Sequence, residues 1–320
     1  MDKNFLVLME LLCDENQPLP VQRIAELSDL DKEHSDQIAK TWNSIPVKRR
    51  QLILQTMGQQ AFDHFELSFE AINRIALFDS DPLARSIAIE NLWECEDPSI
   101  VPALLESLSF AGDSQVRAVA AKALGAFIWL GEIGEIQPEF LNQIEAGLLS
   151  TCRKDEPEVR MRSLESLGYS SHDDVPALIE EAYNSGDESR LQSAMLAMGR
   201  SANDRWNQYV LAELTNPSPF VRMEAARAAG ELEIREAIDN LIDLLQDVND
   251  QIRVAAIWAL AEIGGDDAMD AIVELGELTD DDGLQTIIEE AIDHMTFVSG
   301  SRNLLLLDFD EDEDTEAPTH

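Results

Sequence analysis

Val221–Gly230 reads VRMEAARAAG, and the theme recurs as LARSIAIENL from Leu83, VRAVAAKALG from Val116, VRMRSLESLG from Val159 and IRVAAIWALA from Ile252. Its arginines are Arg85, Arg117, Arg160, Arg222 and Arg253, so the steps are 32, 43, 62 and 31 residues. The step of 62 is two units of 31, and the segment GDESRLQSAMLAMGRS fills the gap with Ala194, Ala197 and Gly199 in register with Ala225, Ala228 and Gly230. A helical theme at this period denotes stacked pairs of helices, each pair too small to bury its apolar face alone. The expected fold is all-α: a right-handed superhelix of helical pairs, about seven of them.

Working outward, PVKRRQLILQTMGQ from Pro46 and FEAINRIALF from Phe69 read as a divergent first pair. Residues 1–44 read as short helices forming an N-terminal cap, 45–296 as the repeat array, and 297–320 as a linker and acidic tail whose composition does not support folding alone. Asp81 before Pro82 and Asp97 before Pro98 are helix-start signals, because a carboxylate accepts orphan amide hydrogens and proline has none to satisfy. The extra length of the 43-residue step lies in FIWLGEIGEIQPEF, Phe127–Phe140, which reads as a longer inter-helix loop with an apolar flap.

The 320 residues carry 63 acidic and 23 basic side chains, a net charge of −40. The excess is graded, from −5 over residues 1–80 to −23 over 201–320. Such a field repels nucleic-acid phosphates and anionic lipid, and it favours a protein partner with a basic patch. The same acidity also serves plain solubility. Cys13, Cys95 and Cys152 are far apart, with no zinc or redox spacing, and read as reduced thiols of a cytoplasmic protein. No signal peptide, lipid attachment site or membrane span is expected, and neither is a cofactor or metal.

The D-x-x-V-R-x-x-A-x-x-A-L-G theme resembles HEAT-repeat proteins from about Pro46 to Met295. It is most similar to the short HEAT-like repeats of the phycobilin lyase type, since units of about 31 residues fall below the usual 40–47. ESLGYSSHDDVPALIEEAYNSGDE is also similar to uncharacterised bacterial HEAT-repeat proteins. The resemblance implies a non-enzymatic scaffold or assembly factor, with a lyase-like or chaperone-like assistant for a tetrapyrrole-bearing protein as the alternative. HEAT-repeat hydroxylases hold iron with His-Glu dipeptides, and none of His34, His64, His172, His294 and His320 precedes a glutamate. HEAT-like DNA glycosylases need a basic groove, which an acidic chain lacks.

Aligning LLE, LIE, LID and IVE of the second helices sets Glu106, Glu180, Asp243 and Glu274 in one row, with Asp239 and Asp270 as a partial second row. The expectation is a ladder of carboxylates on the inner, concave wall for a basic partner; an ordinary solvated helix face fits the pattern as well. Trp258 stands where other units have Glu90, Lys122, Glu165, Leu196 and Arg227, so it is a candidate exposed contact, unless it folds back on its neighbours. Trp93, Trp129 and Trp206 read as packing residues. Leu304, Leu305, Leu306, Leu307 and Phe309 form an apolar handle suited to docking on a partner, or a frayed cap. The repeated arginines read as inter-repeat ion pairs and carbonyl contacts. Lys48, Arg49 and Arg50, the one basic concentration, read as a contact for the acidic tail.

Overall fold

The apolar period of 3.6 in each segment is realised as helix throughout a computed structural model that describes the backbone of residues 3–310 and the side chains of these except 110 and 299–310. Among the described residues there is no strand. Contacts divide the chain into two units, 1–175 and 176–320.

In the first unit, α1 (Lys3–Cys13) and α2 (Lys32–Thr41) form the cap with two 3₁₀ turns. The pairs that follow are α3 (Val47–Asp63) with α4 (Glu70–Ala76), α5 (Pro82–Glu90) with α6 (Val101–Phe110), and α7 (Ser114–Glu132) with α8 (Pro138–Lys154); α9 (Pro157–Leu167) closes the unit. The first helices pack side by side, α3 on α5, α5 on α7 and α7 on α9. Their starts obey the sequence signals: Asp81 accepts the Ala84 amide at 2.9 Å and Asp97 that of Ser99 at 2.9 Å. The extra residues of 127–140 do not enlarge a loop. They lengthen α7 and α8 to 19 and 17 residues and leave residues 133–137 between them. The helical period simply continues through Phe127, Ile128 and Leu130, which are buried.

The second unit holds α10 (Val175–Tyr183), α11 (Glu188–Arg200) with α12 (Asn207–Glu213), α13 (Pro219–Glu231) with α14 (Ile238–Leu244), and α15 (Asp250–Ile263) with α16 (Asp266–Leu278). The last helix, α17, runs Asp282–Asp310. Its backbone stays helical past 297, where composition places the start of a tail; residues 311–320 lie outside the described residues. Again α11, α13 and α15 stack in sequence, over the buried alanines 194, 197, 225, 228, 256 and 259.

The repeated arginines bind the turns together. Arg85, Arg117, Arg222 and Arg253 each donate Nη1 to the carbonyl six residues upstream, of Asp79, Ala111, Asn216 and Asp247, at 2.7, 2.8, 2.8 and 3.2 Å. Arg160 instead donates to the Cys152 carbonyl at 3.0 Å. Three guanidiniums also reach the aspartate in the turn of the next pair: Arg117 to Asp155, Arg222 to Asp247 and Arg50 to Asp79, each at 2.7 Å.

Arg50 thus occupies the repeat's arginine position, and the reading of Arg49 and Arg50 as a surface for the tail is wrong. Both are buried. Arg49 holds the cap through the carbonyls of Leu11, Leu12, Gln17 and Pro18, while Arg50 and the Trp42 indole converge on Asp79.

The turn carboxyls feel this arrangement. Burial pushes Asp247 upward, but the Asn249 amide and the Arg222 guanidinium outweigh it and hold the carboxyl below the usual range. Asp155 is held low in the same way by Arg117 against its own burial. Groups depressed on folding contribute stability that is complete above their unfolded value, about 3.9, and is lost as pH falls through the lower folded values. Urea midpoints followed down in pH are therefore expected to drop below about pH 4, and Arg222→Met to flatten part of that acid limb. An acid limb unchanged by Arg222→Met would show that this pair does not set it.

Candidate partner-binding surface

The buried pairs Leu104/Ser107, Ile179/Ala182, Leu241/Leu244 and Ile272/Leu275 mark the same two core positions of the second helix in four pairs. The residue just before the second of each is Glu106, Glu181, Asp243 and Glu274. Glu180 is therefore one place out of register, about 100° around the helix. At its position the other pairs carry Leu105, Ile242 and Val273, and its carboxylate is paired with Arg205 at 2.9 Å. Glu181, which does belong to the row, is paired with Arg190 at 3.0 Å. In α12 the row is interrupted by Ala212.

What the second unit brings together is narrower than the expected ladder. Asp239 and Asp243 on α14 lie one turn apart, as do Asp270 and Glu274 on α16, and the two helices pack on each other. All four side chains are exposed, and among the described residues no basic group pairs with them. Glu106 is likewise exposed, in the first unit.

Trp258 is half-buried rather than presented to solvent, its ring edge-on to His294 of α17 at 6.3 Å. The side chains of Leu304, Leu305, Leu306, Leu307 and Phe309 lie outside the described residues. Trp206 is a packing residue, fully buried against Tyr209, but Trp93 and Trp129 are exposed. Trp93 falls eight residues after Arg85, where the other units place Gly125, Gly168, Gly230 and Ala261; an added Cβ would collide with Ser166 at Gly125 and with Ala259 at Gly230. Trp93 lies in the turn after α5, which ends at Glu90, and its ring is exposed.

A groove of about 530 Å³ between successive turns of the second unit, lined by Tyr183, Asp187, Glu188, Leu191, Pro217 and Phe220 among others, was also missed. Phe220, which lines it, is exposed, a property of the fold that its residue type does not show. Tyr183 donates to Glu213 at 2.7 Å, and its hydroxyl is pushed up to about 12 by burial and by that carboxylate.

Compared with known proteins, residues 207–293 match the HEAT-repeat family. This segment consists of HEAT repeats. Arginine-to-turn contacts like those of Arg222 and Arg253 recur in the first unit, at Arg50, Arg85 and Arg117. No curated protein sequence matches the chain. Among solved structures, the CpcE–CpcF complex of phycocyanin lyase from Nostoc sp. PCC7120 is 18% identical, covering 72% of this chain and 95% of that one at a TM-score of 0.49. YibA of Escherichia coli is 16% identical, with coverages of 88% and 98% and a TM-score of 0.46. Human deoxyhypusine hydroxylase is 17% identical, with coverages of 92% and 96% and a TM-score of 0.37.

At these identities and TM-scores the likenesses carry no argument about function. Among the described residues no group of three His, Cys, Asp or Glu side chains is placed to hold a metal ion. No described helix is long and apolar enough to cross a membrane.

Proposed function

We propose that the chain is a non-enzymatic interaction scaffold whose HEAT repeats take a basic segment of a protein partner across α14 and α16. The observation that supports this is the set of four exposed carboxylates Asp239, Asp243, Asp270 and Glu274 on two packed helices, with no basic partner among the described residues, within the third of the chain where the charge excess is greatest. Carboxylates one turn apart on adjacent helices present charge over a face instead of at a point. Such a face steers a cationic chain and sets its register more than it adds raw affinity.

A fluorescein-labelled octalysine peptide titrated against the full chain tests it. Asp243→Lys with Glu274→Lys is expected to weaken binding at least about tenfold, equivalent to about 1.4 kcal/mol, and the wild-type affinity to fall with added salt. Glu15→Lys with Glu33→Lys changes net charge equally on exposed sites of the cap and is expected to do far less. Equal weakening by both pairs would overturn the assignment. Saturable absorbance changes on titrating a tetrapyrrole would instead favour the cofactor-assistant role.

A further inference from the structure

The first unit carries a second surface of different chemistry, along the edge where the first helices end. Gly58 of α3 faces Asn91, just past the end of α5, and Gly125 of α7 faces Ser166, just before the end of α9; an added Cβ on either would collide with that neighbour. Phe62 and Trp129 each lie one turn beyond these glycines on the same helical face, where the shorter neighbour has stopped. They overhang, and Trp93 emerges from the turn between them. Phe62 is 85% exposed, Trp93 73% and Trp129 47%, and Phe65, in the loop after α3, is 97% exposed.

The charge around these rings has one sign. Asp63, Glu66, Glu90, Glu94, Glu96 and Glu132 are all exposed, while residues 51–73, 86–116 and 123–152 contain no lysine or arginine. Arg74, from the neighbouring α4, is neutralised between Glu70 and Asp97 at 2.7 and 2.5 Å.

We infer that the edge formed by Phe62, Trp93 and Trp129 is a docking surface for a basic amphipathic segment of another protein. Exposed rings spaced by successive helices offer apolar area and negatively polarised faces for lysine or arginine, and the surrounding carboxylates complete the charge match. The chain's own acidic C-terminus and a second copy at −40 are repelled by the same field. The surface is separate from α14 and α16 and stands or falls independently of them.

The probe is an 18-residue helical peptide with leucines on one face and lysines on the other, titrated by calorimetry against the full chain and against Phe62→Ala/Trp93→Ala/Trp129→Ala. These changes leave net charge untouched. The variant is expected to bind at least tenfold more weakly, with octalysine binding unaltered and with Asp243→Lys/Glu274→Lys leaving the amphipathic peptide within about threefold. Trp93→Phe is expected to restore most of what Trp93→Ala alone loses, and either single variant serves if the triple one fails to fold. Undiminished binding by the triple variant, no saturable binding by wild type, or concentration-dependent dimerisation lost in the variant would each overturn the inference; the last would assign the edge to a second copy.

Discussion

Asp79→Ala is expected to destabilise the first unit by about 3–5 kcal/mol, because it strands a buried guanidinium. The Arg50 and Asp79 side chains are 4% and 0% exposed and meet at 2.7 Å. Asp79 also accepts the Trp42 indole at 2.7 Å and the Asp81 amide at 2.8 Å, so one carboxylate ties the cap, the first pair and the start of α5. Arg50→Met is expected to cost as much, for it leaves the buried carboxylate without its cation. The double change Arg50→Met/Asp79→Leu should recover only part of the loss. It removes the uncompensated charge, but the indole and the amide still lose their acceptor, at about 1–3 kcal/mol each. Urea denaturation followed by far-ultraviolet circular dichroism measures all three, and a shift under about 1 kcal/mol for Asp79→Ala would contradict the buried clasp.

Gly230→Leu is expected to cost about 1–3 kcal/mol or more, and even Gly230→Ala to destabilise. Alanine ordinarily improves a helix by about 1 kcal/mol over glycine, so the sign itself is informative. A Cβ at 230 would lie 2.8 Å from the Ala259 Cα and 3.2 Å from its Cβ. The obstacle is the backbone of α15, which has no rotamer to change. α13 and α15 must separate, opening contacts along the stack of alanines. At Gly112, where an added Cβ meets nothing within 4 Å, alanine is expected to be neutral within about 0.5 kcal/mol. Hydrogen exchange at α13 and α15 amides should accelerate in Gly230→Leu.

The repeat was legible because its period and its arginine are written in the chain, and helix starts at Asp81 and Asp97 follow from local chemistry alone. Burial was harder. Lys48–Arg50 looks like a basic surface until Arg50 is aligned with Arg85, 35 residues on, where it takes the structural role of the repeated arginine. Glu180 and Glu181 are neighbours of equal chemistry, but the 21 residues that separate Arg85 from Glu106, Arg222 from Asp243 and Arg253 from Glu274 lead from Arg160 to Glu181, and the buried Ile179 and Ala182 agree. Trp93 reads as a packing residue from its place near a helix end, although Gly125 and Gly230, aligned with it, mark a position where an added side chain collides with the neighbouring helix. Side-chain type does not report such exclusions; the neighbouring backbone does. The 127–140 segment misled for a simpler reason, since added residues in helical period extend helices before they extend a loop.

Amide hydrogen exchange of the full chain with and without saturating octalysine tests the proposed function most directly. Slowed exchange concentrated in α14 and α16, and abolished by Asp243→Lys/Glu274→Lys, is the predicted result. Protection spread evenly over both units, or confined to helices other than these two, would contradict it.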